Sequence, residues 1–241
     1  MKVWITIPTY NEVENIDLVA RRVRDAVPDA AIVIVDDNSD DGTAEKAEAL
    51  AAEIGGIHVL RRPWKMGLGS AYRESFAAGL ARGYDVMIEI DADLSHDPAD
   101  LRKLLRAIEE GADLVIGSRY VEGGSVPNWP RRRLLLSQAG NRYAAWVLGL
   151  PLRDSTAGYR AFRASTLRRI DFATATSTGY SFQVEMAYRV ARTGGHVVEV
   201  PICFTDRVRG TSKMSSRIVV EAMTRVTWWG FRDRVLHRPP R

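Results

Sequence analysis

Short runs of β-branched and apolar residues alternate along the chain with longer stretches of helical period. The runs are Val3 to Pro8, Ala31 to Asp37, Ile57 to Arg61, Val86 to Asp91 and Leu114 to Ser118, and their length and composition predict strands of one sheet. The segments between them carry helix-start signals. Asn11 stands three residues before Glu14, and Asp97 leads into Pro98, patterns that pair or dispense with the amides left open at a helix start. Strand and helix in alternation predict an α/β fold, a mostly parallel Rossmann-like sheet with helices on both faces.

After Tyr120 the rhythm changes. EGGSVPNWPRRR, from Glu122 to Arg133, is a loop rich in Gly, Pro and Arg, of the kind that lines a site more often than it fills a core. Beyond it the pattern predicts helices over Arg131 to Leu148 and Tyr180 to Thr193, and another strand over His196 to Phe204. A last helix is expected over Ser216 to Leu236. Val219, Ala222, Met223, Val226 and Trp229 share one of its faces, and Arg217, Glu221, Arg225 and Arg232 share the other. Such a stripe has two readings: packing on the domain's own core, or lying in a membrane interface. Trp228, Trp229 and Phe231 beside Arg232, Arg234 and Arg238 make the aromatic and basic end that suits an interface.

At 241 residues, 46% of them hydrophobic, the chain has material for one substantial core. The expected division is a catalytic domain over 1–213 and an amphipathic helix with a basic tail over 214–241. The formal charge of +4 suits nucleic acid, anionic lipid or phosphorylated substrates alike and decides between none of them. Cys203 lies in the apolar run from Val197 to Phe204 and is expected to pack there as a small hydrophobe. The N-terminal apolar stretch stops at Pro8, too short for the apolar region of a signal peptide. No window reaches the ~18 to 20 apolar residues that a membrane-spanning helix needs, so any membrane contact is expected to be peripheral.

In an open α/β sheet ligands collect beyond the carboxyl ends of the strands. The first run ends in Pro8-Thr9-Tyr10-Asn11-Glu12, the second in Asp36-Asp37-Asn38-Ser39-Asp40-Asp41-Gly42-Thr43, and the fourth in Asp91-Ala92-Asp93-Leu94-Ser95-His96. Helix capping accounts for Asp40, Asp41 and Asp97. It suits Asp91 and Asp93 poorly, because two close carboxylates both stay ionised most readily with a cation between them. Hard oxygen ligands select Mg²⁺ or Mn²⁺, which bridges carboxylates to a diphosphate. His96 is expected as a cap or a donor behind the ligands. GLGSAY, from Gly67 to Tyr72, is half of a dinucleotide fingerprint without its third Gly and reads better as a helix start, with Lys65 near a donor.

The strand-end sequences PTYNE, VDDNSDDGT and DADLSHDP, in this order and spacing, resemble the family 2 glycosyltransferases of the GT-A fold. GSRY (Gly117 to Tyr120), NWPRRRLLLS (Asn128 to Ser137) and DRVRGTSK (Asp206 to Lys213) narrow the resemblance to dolichyl- or polyprenyl-phosphate mannose synthases. That resemblance implies inverting transfer of mannose from GDP-mannose to a polyprenyl phosphate. Pro8, Tyr10, Glu12 and Asp37 match positions that hold guanine and ribose; Asp91, Ala92 and Asp93 match the metal–diphosphate contacts; Ser95 matches a metal-associated position. Arg119, Arg207 and Lys213 match basic residues that grip the diphosphate and the incoming phosphate, and Arg133 and Ser137 match acceptor-phosphate contacts. Asp91, Asp93 and Arg119 are thus the expected catalytic residues. The resemblance also implies work at the cytosolic face of a membrane, with an integral membrane subunit as a candidate partner and without nucleic acid. A phosphate monoester is already anionic near neutral pH, so no general base is assigned. A synthase using UDP-glucose and a binder that has lost its chemistry are the competing readings.

Overall fold

A computed structural model describes residues 1–177, 179–206 and 216–236. Arg207 and Lys213 lie outside the described residues. Among these residues β1 (Val3–Thr9), β2 (Ala31–Asp36), β3 (Ile57–Arg61), β4 (Val86–Glu89), β5 (Leu114–Ser118), β6 (Arg160–Arg163) and β7 (Val197–Pro201) form one sheet in the order β3-β2-β1-β4-β6-β5-β7. Every pairing is parallel except those of β6, which runs antiparallel to β4 and β5.

Alternation along the strands divides the core into two layers. Trp4, Val33 and Val35 face one side, where they meet Tyr72 and Phe76 of α3 (Leu68–Ala81), Ala144 and Val147 of α5 (Arg131–Leu148), Leu167 of α6 (Ala164–Arg169), Phe182 of α7 (Gly179–Arg192), and Val226 and Trp229 of α8 (Ser216–Leu236). Ile5, Ile7, Ile32 and Ile34 face the other, against Val19 and Val23 of α1 (Ile16–Ala26), Leu50 of α2 (Thr43–Ile54), and Leu104 and Ile108 of α4 (Leu101–Glu109). Each fully buried Val or Ile contributes about 1.5–3 kcal/mol, so the two layers hold the central strands fixed. Trp4 illustrates the fit. Its indole N–H donates to Ser75 Oγ at 2.9 Å, and a Cβ on Gly79 would stand 2.9 Å from the ring.

Several local expectations are corrected. The first helix begins at Ile16 with Asn15 ahead of it and no side-chain cap; Asn11, at φ 56, is taken up by a bond across to the β2 loop instead. The strand expected over His196 to Phe204 is confined to β7, and Cys203 is exposed, because the chain leaves the sheet after Pro201. The strand β6 was not anticipated. It opens on Arg160, a charge that masks a short run, yet Arg160 is fully buried opposite Glu89 of β4. Three backbone carbonyls, of Ala157, Gln183 and Ser155, accept from its guanidinium.

Candidate active site

The order of strands reverses between β1 and β4, and the crevice beyond their carboxyl ends is where an open α/β sheet takes a ligand. On one side of it the loops after β1 and β2 are stitched together. Asp36 accepts from Thr9 Oγ1 and from the backbone and hydroxyl of Ser39. Asp41 accepts from the amides of Val13 and Thr43, so its role is to cap, while the Asp97 side chain caps the turn at Pro98 through Ala99 N–H. Glu12 takes the Asn15 amide at 2.9 Å, and its own N–H donates to Thr43 Oγ1.

Asp37 is buried and ties down the next loop. Arg62 Nη1 lies 2.5 Å from Asp37 Oδ1, and Gly67 N–H donates to Oδ2 at 2.9 Å. Gly67 sits at φ 88, a conformation that favours glycine, where α3 begins. The loop so held carries Lys65, whose ammonium stands 3.7 Å over the ring of Tyr10. Residues from the first strand end and from the third loop are thereby brought together, with Pro8 at the tip of β1.

On the other side of the crevice the chain leaves β4 and turns sharply at Leu94, φ 60. Asp93 is buried and its Oδ1 accepts from Ser95 N–H at 3.0 Å. The Asp91 side chain is about one-third exposed, 3.7 Å from His96 Nδ1. Ala92 and Ser95 are buried, and Ser95 Oγ lies 3.5 Å from His96 Nδ1. Burial holds His96 near neutrality by pulling its pKa down to about 4, against the pull of Asp93. Beneath them Glu89 is fully buried and takes the Gln183 amide at 2.7 Å; burial pushes its carboxyl up to about 8, against the pull of Arg160.

The donor set at Asp91 and Asp93 fits a hard divalent cation. Among the described residues no group of three or more His, Cys, Asp and Glu makes a cage, and Mg²⁺-type sites commonly use one or two carboxylates, leaving the other positions to water and substrate phosphate. Gly158 lies next to the pair: a Cβ there would stand 3.8 Å from both Asp91 oxygens, an ordinary contact.

Farther along, Arg119 is buried in a fork with Asp154: Nε to Oδ2 and Nη2 to Oδ1 are both 2.7 Å, and Nη2 also donates to Thr156 Oγ1. Asn141 of α5 binds Thr156 and Ser155 and so fixes this loop to the helix. One turn earlier on α5, Ser137 Oγ accepts from Tyr120 OH at 2.7 Å. Another turn back, Arg133 lies 3.8 Å over the Trp129 ring and 2.8 Å from Asp206. Arg133 and Ser137 therefore share a face of α5 beside Arg119. Sequence reading missed Arg62, Asp154, Trp129 and Gln183, whose partners lie tens of residues away; the polar run Arg153 to Thr156 between an apolar helix and a strand was the one local signal.

The sequence pattern of Glycosyl transferase family 2 matches residues 4–171. This chain belongs to that family. The family 2 chain is 53% identical to the undecaprenyl-phosphate mannosyltransferase of Micrococcus luteus, over 97% of this chain and 96% of that one. It is 50% identical to the polyprenol monophosphomannose synthase of Mycolicibacterium smegmatis, over 96% and 88%, and 36% identical to the dolichol-phosphate mannosyltransferase of Pyrococcus furiosus, over 98% and 67%. Among solved structures it resembles the glucosyl-3-phosphoglycerate synthase of Mycobacterium tuberculosis, there in complex with Mn²⁺, uridine diphosphate and glucosyl-3-phosphoglycerate, at TM-score 0.68 and 19% identity over 97% of this chain and 79% of that one. That likeness shows the fold, which is GT-A as the strand-end sequences implied.

Proposed function

We propose that this family 2 glycosyltransferase moves mannose from GDP-mannose to a polyprenyl phosphate with inversion, giving a β-linked mannosyl phosphate from an α-linked donor. The observation that carries the reading is a chain of contacts joining two sets of groups: His96, 3.7 Å from Asp91, packs on Phe204, Arg119 lies over that same ring at 5.5 Å, and Trp129 against it carries Arg133 of α5 at 3.8 Å. The names of the three mannosyl-transferring relatives support the sugar and the lipid acceptor.

In this reading Pro8, Tyr10, Glu12 and Lys65 receive the nucleoside. Asp37 holds the Lys65 loop through Gly67 and keeps lone pairs for a ribose hydroxyl, since a carboxylate offers about four acceptor positions. Asp91 and Asp93, with Ser95 beside them as the weaker ligand, would hold Mg²⁺ or Mn²⁺, which would supply charge to offset the departing diphosphate. Arg119, fixed by Asp154, adds a permanent cation, and Arg207 and Lys213 extend that charge along the phosphates. Arg133 and Ser137 seat the acceptor phosphate for attack opposite the nucleotide.

Among the described residues no helix is long and apolar enough to cross a membrane. α8 packs Val226 and Trp229 inward and leaves Trp228, Phe231 and Val235 exposed, and the neighbouring α5 exposes Leu135, Leu136 and Trp146. This outer face of two helices begins within a turn of Arg133, so it suits peripheral docking at the cytosolic leaflet where a lipid-borne phosphate must be met. An integral membrane subunit would use the same face.

A panel of radiolabelled donors with a short polyprenyl phosphate, with and without EDTA, tests the reading. GDP-mannose turnover that stops on chelation is expected. Turnover of UDP-glucose without turnover of GDP-mannose overturns the donor, and full activity in EDTA overturns the metal.

A further inference from the structure

Beside the proposed acceptor seat, one carboxylate oxygen serves two donors. Asp206 Oδ1 accepts from Arg133 Nη1 at 2.8 Å and from the Trp129 indole N–H at 3.0 Å. The guanidinium also lies 3.8 Å over the Trp129 ring, a cation–π contact that holds the two donors against each other independently of the carboxylate. Phe204 packs edge-on to the same indole at 5.6 Å, and Arg119 lies 5.5 Å from it. Stability does not account for the cluster. The side chains of Arg133 and Asp206 are 36% and 44% exposed, and exposed pairs contribute little. The first turn of α5 holds three arginines and no acidic residue, which opposes the helix dipole instead of complementing it.

Two N–H donors that meet on one negatively charged oxygen describe a place for an anionic oxygen. We propose that Trp129 is a further ligand of the acceptor phosphate: on binding, a phosphate oxygen replaces Asp206 Oδ1 and takes both the Arg133 guanidinium and the Trp129 indole N–H. The inference rests on the proposed acceptor seat at Arg133 and Ser137, and it adds a donor of fixed direction. A guanidinium and a hydroxyl turn about several torsions, whereas the indole N–H is rigid in its ring plane and that ring is packed by Phe204 and Arg133. The indole is donor only, which suits an oxygen that can only accept. Ser137 Oγ accepts from Tyr120 OH at 2.7 Å and keeps its own O–H to give, so the seat presents donors alone to a phosphate that arrives ionised.

Indole N–H signals of the ¹⁵N-labelled full chain are followed during titration with farnesyl phosphate, with farnesol and with GDP, while ³¹P line broadening reports whether farnesyl phosphate binds. The Trp129 signal is the one missing from Trp129→Phe; Asp206→Ala, which takes away its acceptor, identifies it if that variant does not fold. It is expected to move with farnesyl phosphate and to stay in place with farnesol and GDP. Steady-state kinetics on a short polyprenyl phosphate then separates contact with the substrate from an effect through Asp206. Trp129→Phe keeps a ring under Arg133 and loses the N–H, and it is expected to raise the acceptor KM about tenfold, the scale of one hydrogen bond to a charged group, with the donor KM unchanged. The same rise is expected when it is added to Asp206→Ala. A Trp129 signal that stays still while farnesyl phosphate binds, a double variant no worse than Asp206→Ala alone, or an equal rise in donor KM each overturns this donor and leaves the acceptor seat standing. Farnesyl phosphate that does not bind, or that binds equally well to Arg133→Ala, overturns the seat itself and Trp129 with it.

Discussion

The two sides of the crevice are built differently. On the proposed nucleotide side, the loops are tied within single turns, as Ser39 to Asp36 and Thr43 to Asp41, and cross-tied to one another, as Thr9 to Asp36 and Arg62 to Asp37. On the acceptor side, each key side chain leans on a residue far along the chain: Arg119 on Asp154, 35 residues on, and Arg133 on Asp206, 73 residues on. The first side is a cup of local turns laced together by short polar contacts between neighbouring loops. The second is a set of cations whose placement depends on tertiary contacts, and it continues into an exposed apolar face. A transfer between two phosphorylated partners needs both, because a fixed leaving group must meet a mobile, lipid-borne nucleophile.

The largest expected effect separates chemistry from scaffold. Asp93→Ala removes one of the paired carboxylates and is expected to lower transfer by about three orders of magnitude or more, the range for losing a main source of transition-state charge stabilisation. Unfolding by urea should stay cooperative. Turnover like the wild type's would show that the β4 end is not the reacting centre.

Next comes the acceptor side's dependence on a distant partner. Asp154 is fully buried and its removal takes away the carboxylate onto which buried Arg119 forks, so Asp154→Ala is expected to cost about 3–5 kcal/mol in denaturant unfolding. A loss below about 1 kcal/mol would place Arg119 in contact with water and remove the argument that it is held as a fixed cation.

Arg133→Ala sharpens the division further. It should raise KM for the polyprenyl phosphate by about ten- to thirtyfold, the worth of a charge-assisted contact, and leave KM for the donor nearly unchanged. Equal rises in both would mean that the two sides are not separate sites. Smaller again is the membrane term: the double variant Trp146→Ser with Trp228→Ser is expected to lower recovery on phosphatidylglycerol vesicles several-fold, as interfacial aromatic anchors do, with activity on a short-chain acceptor intact. Unchanged recovery would remove the two-helix face as the docking surface.

The same contrast explains what was legible in the sequence. The strands of the proposed nucleotide side are read from apolar runs, and their polar ends fall in consecutive letters, so PTYNE and DADLSHDP announce both the crevice and its paired carboxylates. The acceptor side is announced only in part. NWPRRRLLLS shows a basic helix start, but nothing near Arg119 in sequence points to Asp154, and nothing near Asp37 points to Arg62. β6 was hidden for a related reason: its first residue is an arginine whose burial opposite Glu89 is a property of the assembled sheet. The outward side of α5 was hidden too, since Leu135 and Leu136 look like core residues until the helix is docked and leaves them exposed.

The smallest effect carries the opposite sign from the others. Asp206 bonds Arg133 at 2.8 Å and the Trp129 indole at 3.0 Å, and both members of the ion pair are substantially exposed. Exposed pairs contribute little to stability, so Asp206→Ala should change unfolding by under about 1 kcal/mol. The carboxylate nevertheless occupies the guanidinium that the acceptor phosphate is proposed to use. Its removal is expected to lower the acceptor KM, by at most about fivefold, which is the same 1 kcal/mol read as affinity. Steady-state kinetics on a short polyprenyl phosphate gives the answer: a fall means Asp206 competes with the substrate for Arg133, whereas a rise means that it positions Arg133 as Asp154 positions Arg119, and the two cations are then held by one strategy rather than two.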